Sequence, residues 1–283
     1  MNFHNYPNTF TGPIHVLVTD LNRSLTFYQE IIGLQLLKRT DNTIMLTVDG
    51  KTPLLIVEQP QGVVPKQKRT TGLYHFALLL PSRTDLSVAL RHLLETGYPL
   101  QGASDHLVSE AIYLADPDGN GIEIYADRSP ETWKWENGSV SMSTDPINAE
   151  NLLAEGEDKS WNGLPHGTVM GHVHLHVSDL QRAEEFYCKG LGFDIVNRYG
   201  SQALFLSKGG YHHHIGLNTW NGIGAPAPAR NSAGLKWFSL VFPSEEERKK
   251  VIQQLQQIHA SVTEENGAFF TKDPSGNCIQ LLV

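Results

Sequence analysis

The feature that most constrains this chain is that it repeats itself. Residues 14–34 read IHVLVTDLNRSLTFYQEIIGL and residues 173–193 read VHLHVSDLQRAEEFYCKGLGF. Both carry D-L-x-R-x-x-x-F-Y, and both place a glycine five residues past the tyrosine: Gly33 after Tyr28, Gly192 after Tyr187. LYHFALLLPS (73–82) returns as LKWFSLVFPS (235–244), and DPDGNGIEIY (116–125) returns as DPSGNCIQLL (273–282). The chain is therefore two similar halves, each built from two units of about 60 residues that begin with an apolar strand.

Each unit has a readable order. Residues 14–19 are apolar and β-branched, a strand; Asp20 can cap the helix that follows, because its carboxylate accepts from the orphan N–H groups of a first turn. Leu21, Leu25, Tyr28 and Ile32 recur at helical spacing, and Gly33 ends the helix. Strands are expected at 43–48 and 53–57. The second unit reads as a strand at 73–80, a helix at 84–96 stopped by Gly97, a strand at 108–114, and a strand at 121–125 after the turn Asp116-Pro117-Asp118-Gly119. The pattern is βαβββ, four times, an α+β class chain. The first half spans 10–127, a polar linker 128–168 with a short helix near 148–155, and the second half 169–283.

Composition narrows the function. With 22 basic and 30 acidic residues among 283, there is no basic footprint for nucleic acid. No window reaches the ~18 apolar residues of a membrane span, and the first residues lack the basic and apolar regions of a secretory signal. Two cysteines, Cys188 and Cys278, make no disulfide scaffold, so a cytoplasmic protein is expected. The 13 histidines are the unusual count.

Four βαβββ units resemble the vicinal oxygen chelate superfamily, which holds glyoxalase I, fosfomycin and bleomycin resistance proteins, and extradiol ring-cleaving dioxygenases. The resemblance covers nearly the whole chain and implies that units pair into cupped mixed sheets around one divalent metal. Two neutral imidazoles and one carboxylate on one face, with open positions, suit Fe(II) in oxygenases; Mn(II) is the alternative ion. The family draws its ligands from first strands and from a last strand. Here the first strands offer His15, His75, Trp237 and either His172 or His174; by register with Asp20 and Asp179, His174 corresponds to His15. The last strands offer Glu123 and the neutral Gln280.

Residues 106–123, HLVSEAIYLADPDGNGIE, resemble the extradiol dioxygenase signature through His106, Ile112, Tyr113, Asp116, Pro117, Gly119 and Glu123. Ser104, two before the histidine, departs from it. GGYHHHIGLN (209–218) resembles the family's histidine pair, with His213 as acid/base residue and His212 before it; His212 and His214 could point outward. Sequential pairing of units would give the ligands His15, His75 and Glu123. Crossed pairing, unit two with unit three, gives His75, His174 and Glu123 and brings the triple histidine into the same cup, so it is preferred. His75 could be a core histidine, but an inward glutamate between Ile122 and Ile124 is costly to bury unless paired or bound to metal.

The expectation is an Fe(II)-dependent extradiol dioxygenase acting on a catechol-like or hydroquinone-like diol and O2. His75, His174 and Glu123 would hold the metal, His213 would act as acid/base, and Tyr113 and His106 would hydrogen-bond the substrate oxygen. A glyoxalase-type isomerase or lyase and a metal-free binding relative are the alternatives. The resemblance also implies that copies associate through outer sheet faces. The Gly- and Pro-rich loops 60–72 and 220–233 are expected to shape the substrate pocket.

Overall fold

A computed structural model describes residues 3–283. Unit one is β1 (Phe10–Leu17), α1 (Leu21–Thr26), β2 (Gln35–Arg39), β3 (Thr43–Thr47) and β4 (Leu55–Glu58). Unit two is β5 (Gly72–Leu80), α2 (Arg83–Thr96), β6 (Leu100–Asp105), β7 (Ser109–Ala115) and β8 (Gly121–Asp127). The connecting segment holds three two-residue strands, β9 (Trp135–Glu136), β10 (Ser139–Val140) and β11 (Asp145–Pro146), and α3 (Ala149–Glu155). Unit three is β12 (Val169–His176), α4 (Leu180–Glu184), β13 (Asp194–Tyr199), β14 (Ala203–Ser207) and β15 (Ile215–Asn218). Unit four is β16 (Gly234–Val241), α5 (Glu245–Gln257), β17 (Val262–Glu265), β18 (Ala268–Lys272) and β19 (Cys278–Leu282).

Local signals place the helices. Asp20, Ser82, Asp179 and Ser244 each accept from a backbone N–H of the first turn, and Gly97 closes α2 in the left-handed region at φ 67°. α1 and α4 each continue into a π-helical turn, over Phe27–Ile31 and Glu185–Gly190, that contains the F-Y pair. The wider turn places both tyrosines in the core, fully buried.

The units pair crosswise. One sheet runs β17-β18-β19-β16-β1-β4-β3-β2, units four and one. The other runs β11-β6-β7-β8-β5-β12-β15-β14-β13, units two and three. The seams are antiparallel pairs of first strands, β1 with β16 and β5 with β12, while within each unit the first and last strands run parallel. The loops at 60–72 and 220–233 clasp one another: Thr71 N–H donates to Pro226 O at 2.9 Å, and Asn221 Nδ2 donates to Thr70 O at 2.8 Å.

The two units within each half are tied by side chains instead of strands. Tyr28 in unit one donates to Asp116 in unit two at 2.9 Å, and Tyr187 in unit three donates to Asp273 in unit four at 3.1 Å. Each aspartate also accepts from its own turn: Asp116 from the N–H groups of Asp118 and Asn120, Asp273 from those of Ser275 and Asn277. Burial pushes both carboxyls up despite these bonds. The two sequence motifs, F-Y and D-P-x-G-N, are thus halves of one latch. Tyr28→Phe and Tyr187→Phe should each lower unfolding stability by about 1–3 kcal/mol, since each strips a donor from a buried aspartate; urea unfolding of the two variants measures it.

Candidate metal centre and substrate cavity

The seam of the nine-stranded sheet sets out two rows of side chains on one face. In the first row Tyr113 on β7 lies beside Glu123 on β8, Glu123 beside Ala77 on β5, and Ala77 beside His172 on β12. In the next row Gly121 lies beside His75, His75 beside His174, His174 beside Gly216, and Gly216 beside Phe205. Residues two apart on a strand share a face, so both rows look the same way. Ala77 contributes only a methyl between Glu123 and His172, and those two lean toward each other over it.

The result is a buried carboxylate held by two imidazoles. His75 Nε2 lies 3.0 Å and His172 Nε2 3.1 Å from the same oxygen, Glu123 Oε2. Glu123 is 3% exposed. Burial alone would raise its pKa, but the adjacent imidazoles outweigh that and hold the carboxyl well below its usual range. Burial, opposed by the Glu123 charge, pulls His172 down. The ligand atoms of His75, Glu123 and His172 all lie within 4.8 Å of one another, the single such grouping among the described residues. Two neutral nitrogens and one carboxylate, buried and converging, fit a divalent transition metal with positions left open.

His172, not His174, completes this group. His174 is on the same face, but one row away from Glu123 and directly opposite His75. Its ring lies over Gly216, where a Cβ would come within 2.8 Å of its Cγ, and it packs against Tyr74, Trp220 and Phe205. The expectation of His174 as a ligand followed its register with His15, but His15 belongs to the other sheet, where it sits 2.9 Å from Glu58, itself paired to Lys236. A better signal was present in the sequence. Seven residues separate His75 from the helix cap Ser82 and His172 from the cap Asp179, whereas five separate His174 from that cap.

The remaining expected residues meet at one cavity of about 340 Å³. His75, Glu123, His172, His106, Tyr113 and His213 all line it. His106 Nδ1 donates to the Ser143 carbonyl at 2.6 Å, so its Nε2 is the acceptor for the Tyr113 hydroxyl, also at 2.6 Å. Burial, reinforced by the Glu123 charge, pushes the Tyr113 phenol well above 10, so it stays a neutral donor. His213 packs on the His172 ring with centroids 4.1 Å apart. His212 and His214, for which an outward orientation was open, are both fully buried. Tyr74, Phe205 and Trp220 add an aromatic wall that sequence reading did not single out; Trp220 comes from the 220–233 loop.

A model of the glyoxalase/bleomycin resistance protein/dioxygenase superfamily matches residues 11–124 and 169–281. A catechol-2,3-dioxygenase of Bacillus subtilis is 47% identical over 282 residues, 98% of this chain and 99% of the relative. A biphenyl-2,3-diol 1,2-dioxygenase of Rhodococcus globerulus is 27% identical over 154 residues, 53% of this chain and 76% of that protein. Among solved structures, glyoxalase I of Zea mays shares the fold with a TM-score of 0.59 at 16% identity, covering 97% of this chain and 92% of that one. No helix among the described residues is long and apolar enough to cross a membrane.

The ligand assignment is directly testable. His172→Ala should weaken divalent-metal retention by more than about 100-fold, the upper range for losing even a supporting partner, whereas His174→Ala should leave retention near the unmodified level. Metal content after dialysis against a graded chelator separates the two.

Proposed function

Because the chain belongs to the glyoxalase/bleomycin resistance protein/dioxygenase superfamily, we propose that it is an extradiol dioxygenase that opens a catechol-like aromatic ring with O2, using Fe(II) held by His75, Glu123 and His172. The observation that carries this reading is the junction of that triad with His213, Tyr113 and His106 in one cavity. The full-length similarity to a catechol-2,3-dioxygenase supports it. A site of about 340 Å³ lies at the small end of ligand cavities and favours a single substituted ring.

Fe(II), when bound, supplies chelation for the diol oxygens and the electron chemistry that lets O2 react with a closed-shell ring. The protein does the rest. Tyr74, Phe205 and Trp220 hold the ring by its faces and edges. His213 takes a proton from a substrate hydroxyl and later returns one to an oxygen of the opening ring. Tyr113, whose hydroxyl hydrogen goes to His106 Nε2 when no substrate is present, turns that hydrogen to the substrate oxygen and steadies its developing charge. Ring opening beside the diol, with both atoms of O2 incorporated, gives a semialdehyde carboxylic acid.

After anaerobic reconstitution with Fe(II), catechol should drive O2 uptake with a yellow ring-fission product. Iron-loaded protein that consumes no O2 with any catechol or hydroquinone would end this reading. Glu123→Ala should lose both iron and turnover. His213→Ala should keep iron while kcat falls by about 10²–10⁴-fold, the usual worth of a general acid/base; iron assay beside steady-state kinetics checks both.

A further inference from the structure

Behind His213 stands a chain of groups that the reaction above leaves unexplained. His213 Nδ1 lies 2.8 Å from His212 Nδ1, and His212 Nε2 lies 2.8 Å from Asp127 Oδ1. Asp127 ends β8, two turns of the pleat beyond Glu123, and faces a different cavity of about 550 Å³ that it lines with Arg83 and Arg128. Tyr211 also donates to Asp127 Oδ1, at 3.3 Å, and in turn meets the Tyr125 hydroxyl at 2.6 Å. The carboxylate is therefore anchored from the side away from the substrate.

With His212 neutral, the proton positions follow by elimination. An ionised aspartate only accepts, so His212 must carry its hydrogen on Nε2. A neutral imidazole then has a bare Nδ1. Two ring nitrogens 2.8 Å apart need one hydrogen between them, and His213 must supply it from Nδ1. His213 is left with a bare Nε2, and its Nδ1 is occupied, so Nε2 is the atom it presents to the cavity it lines.

We propose that Asp127 and His212 are positioning residues that hold His213 in the tautomer whose Nε2 lone pair faces the substrate. Neither one needs to touch substrate. Their effect is on the fraction of His213 rings that carry an acceptor where the substrate hydroxyl arrives, so it falls on the rate of the reaction and not on the affinity for the diol. The proposal rests on the ring-cleavage reading for its kinetic consequence, but the tautomer itself can be observed without turnover.

Two measurements test it. The first is nitrogen-15 NMR of histidine-labelled protein loaded with Zn(II) as a diamagnetic stand-in, with His213 assigned by its loss in His213→Gln. The expected pattern is Nδ1–H for His213 and Nε2–H for His212; an Nε2–H His213 would overturn the proposal. The second is kinetics with catechol in the Fe(II)-loaded enzyme. His212→Leu removes the acceptor and should lower kcat by about 10–100-fold, the range for a supporting partner, with KM within about twofold and iron content unchanged. His212→Asn places an amide oxygen near the lost Nδ1 and should recover most of that rate. Asp127→Ala should slow the unmodified enzyme but add nothing in the His212→Asn background, because the link it acts through is gone. Equal losses in His212→Leu and His212→Asn, or a KM effect in place of a kcat effect, would refute the positioning role. Should His212→Leu fail to fold, Asp127→Ala and the NMR of the unmodified protein still decide. Absence of any ring cleavage by the loaded, unmodified enzyme would sink the functional reading alone and leave the tautomer result standing.

Discussion

Everything at the candidate site depends on the antiparallel pairing of β5 with β12. That seam sets His75 opposite His174 and Ala77 opposite His172, while the parallel partner β8 brings Glu123 beside Ala77. A slip of one residue would turn these side chains to the other face, because the side-chain period of a strand is two. The buried Glu123 charge helps lock the register: without both imidazoles beside it, an ionised carboxylate 3% exposed would be expensive to keep. The candidate metal centre and the register are thus specified by the same three side chains.

The crossed pairing creates a second requirement. Units two and three share a sheet, as do units one and four, so strands join the two sequence halves to each other but leave the two sheets untied. The Tyr28–Asp116 and Tyr187–Asp273 bonds run the other way, between the two units of each half and so between the two sheets. Sheet seams and latches together close a four-unit ring, and the clasped loops at 60–72 and 220–233 reinforce it on the side of the cavity. The use of one tyrosine and one aspartate in each half gives the D-P-x-G-N turn of the fourth unit a structural role, although that unit has Gln280 and Trp237 where unit two has Glu123 and His75.

The other sheet shows what a cup looks like without a centre. His15 faces Trp237 across the seam and meets Glu58, but the Lys236 ammonium lies 2.5 Å from the same glutamate oxygen. A protein cation stands beside the carboxylate there, and neighbouring strands add an indole instead of a second imidazole. In the nine-stranded sheet the corresponding space is bordered by His75, His172, His174 and His213 and opens to a cavity.

The amino-acid order alone determined the four βαβββ units with their caps and turns, because these follow from local periodicity and capping chemistry, and its resemblance to the extradiol dioxygenases singled out His75, Glu123, Tyr113, His106 and His213, which line one cavity. It also made crossed pairing preferable, since only that brings the triple histidine to the intact unit. What the tertiary structure shows is why, of the two inward histidines on β12, it is the one at the cap spacing of His75 that reaches Glu123. His172 and His174 have the same parity and face the same way, so alternation cannot separate them. The choice is made by neighbours distant in sequence: the small Ala77 that lets His172 close on Glu123, and Gly216, whose missing side chain gives the His174 ring another place to lie. The Asp127–His212–His213 chain is of the same kind, for Asp127 becomes the partner of the adjacent His212 and His213 only when β8 and the loop before β15 are packed together.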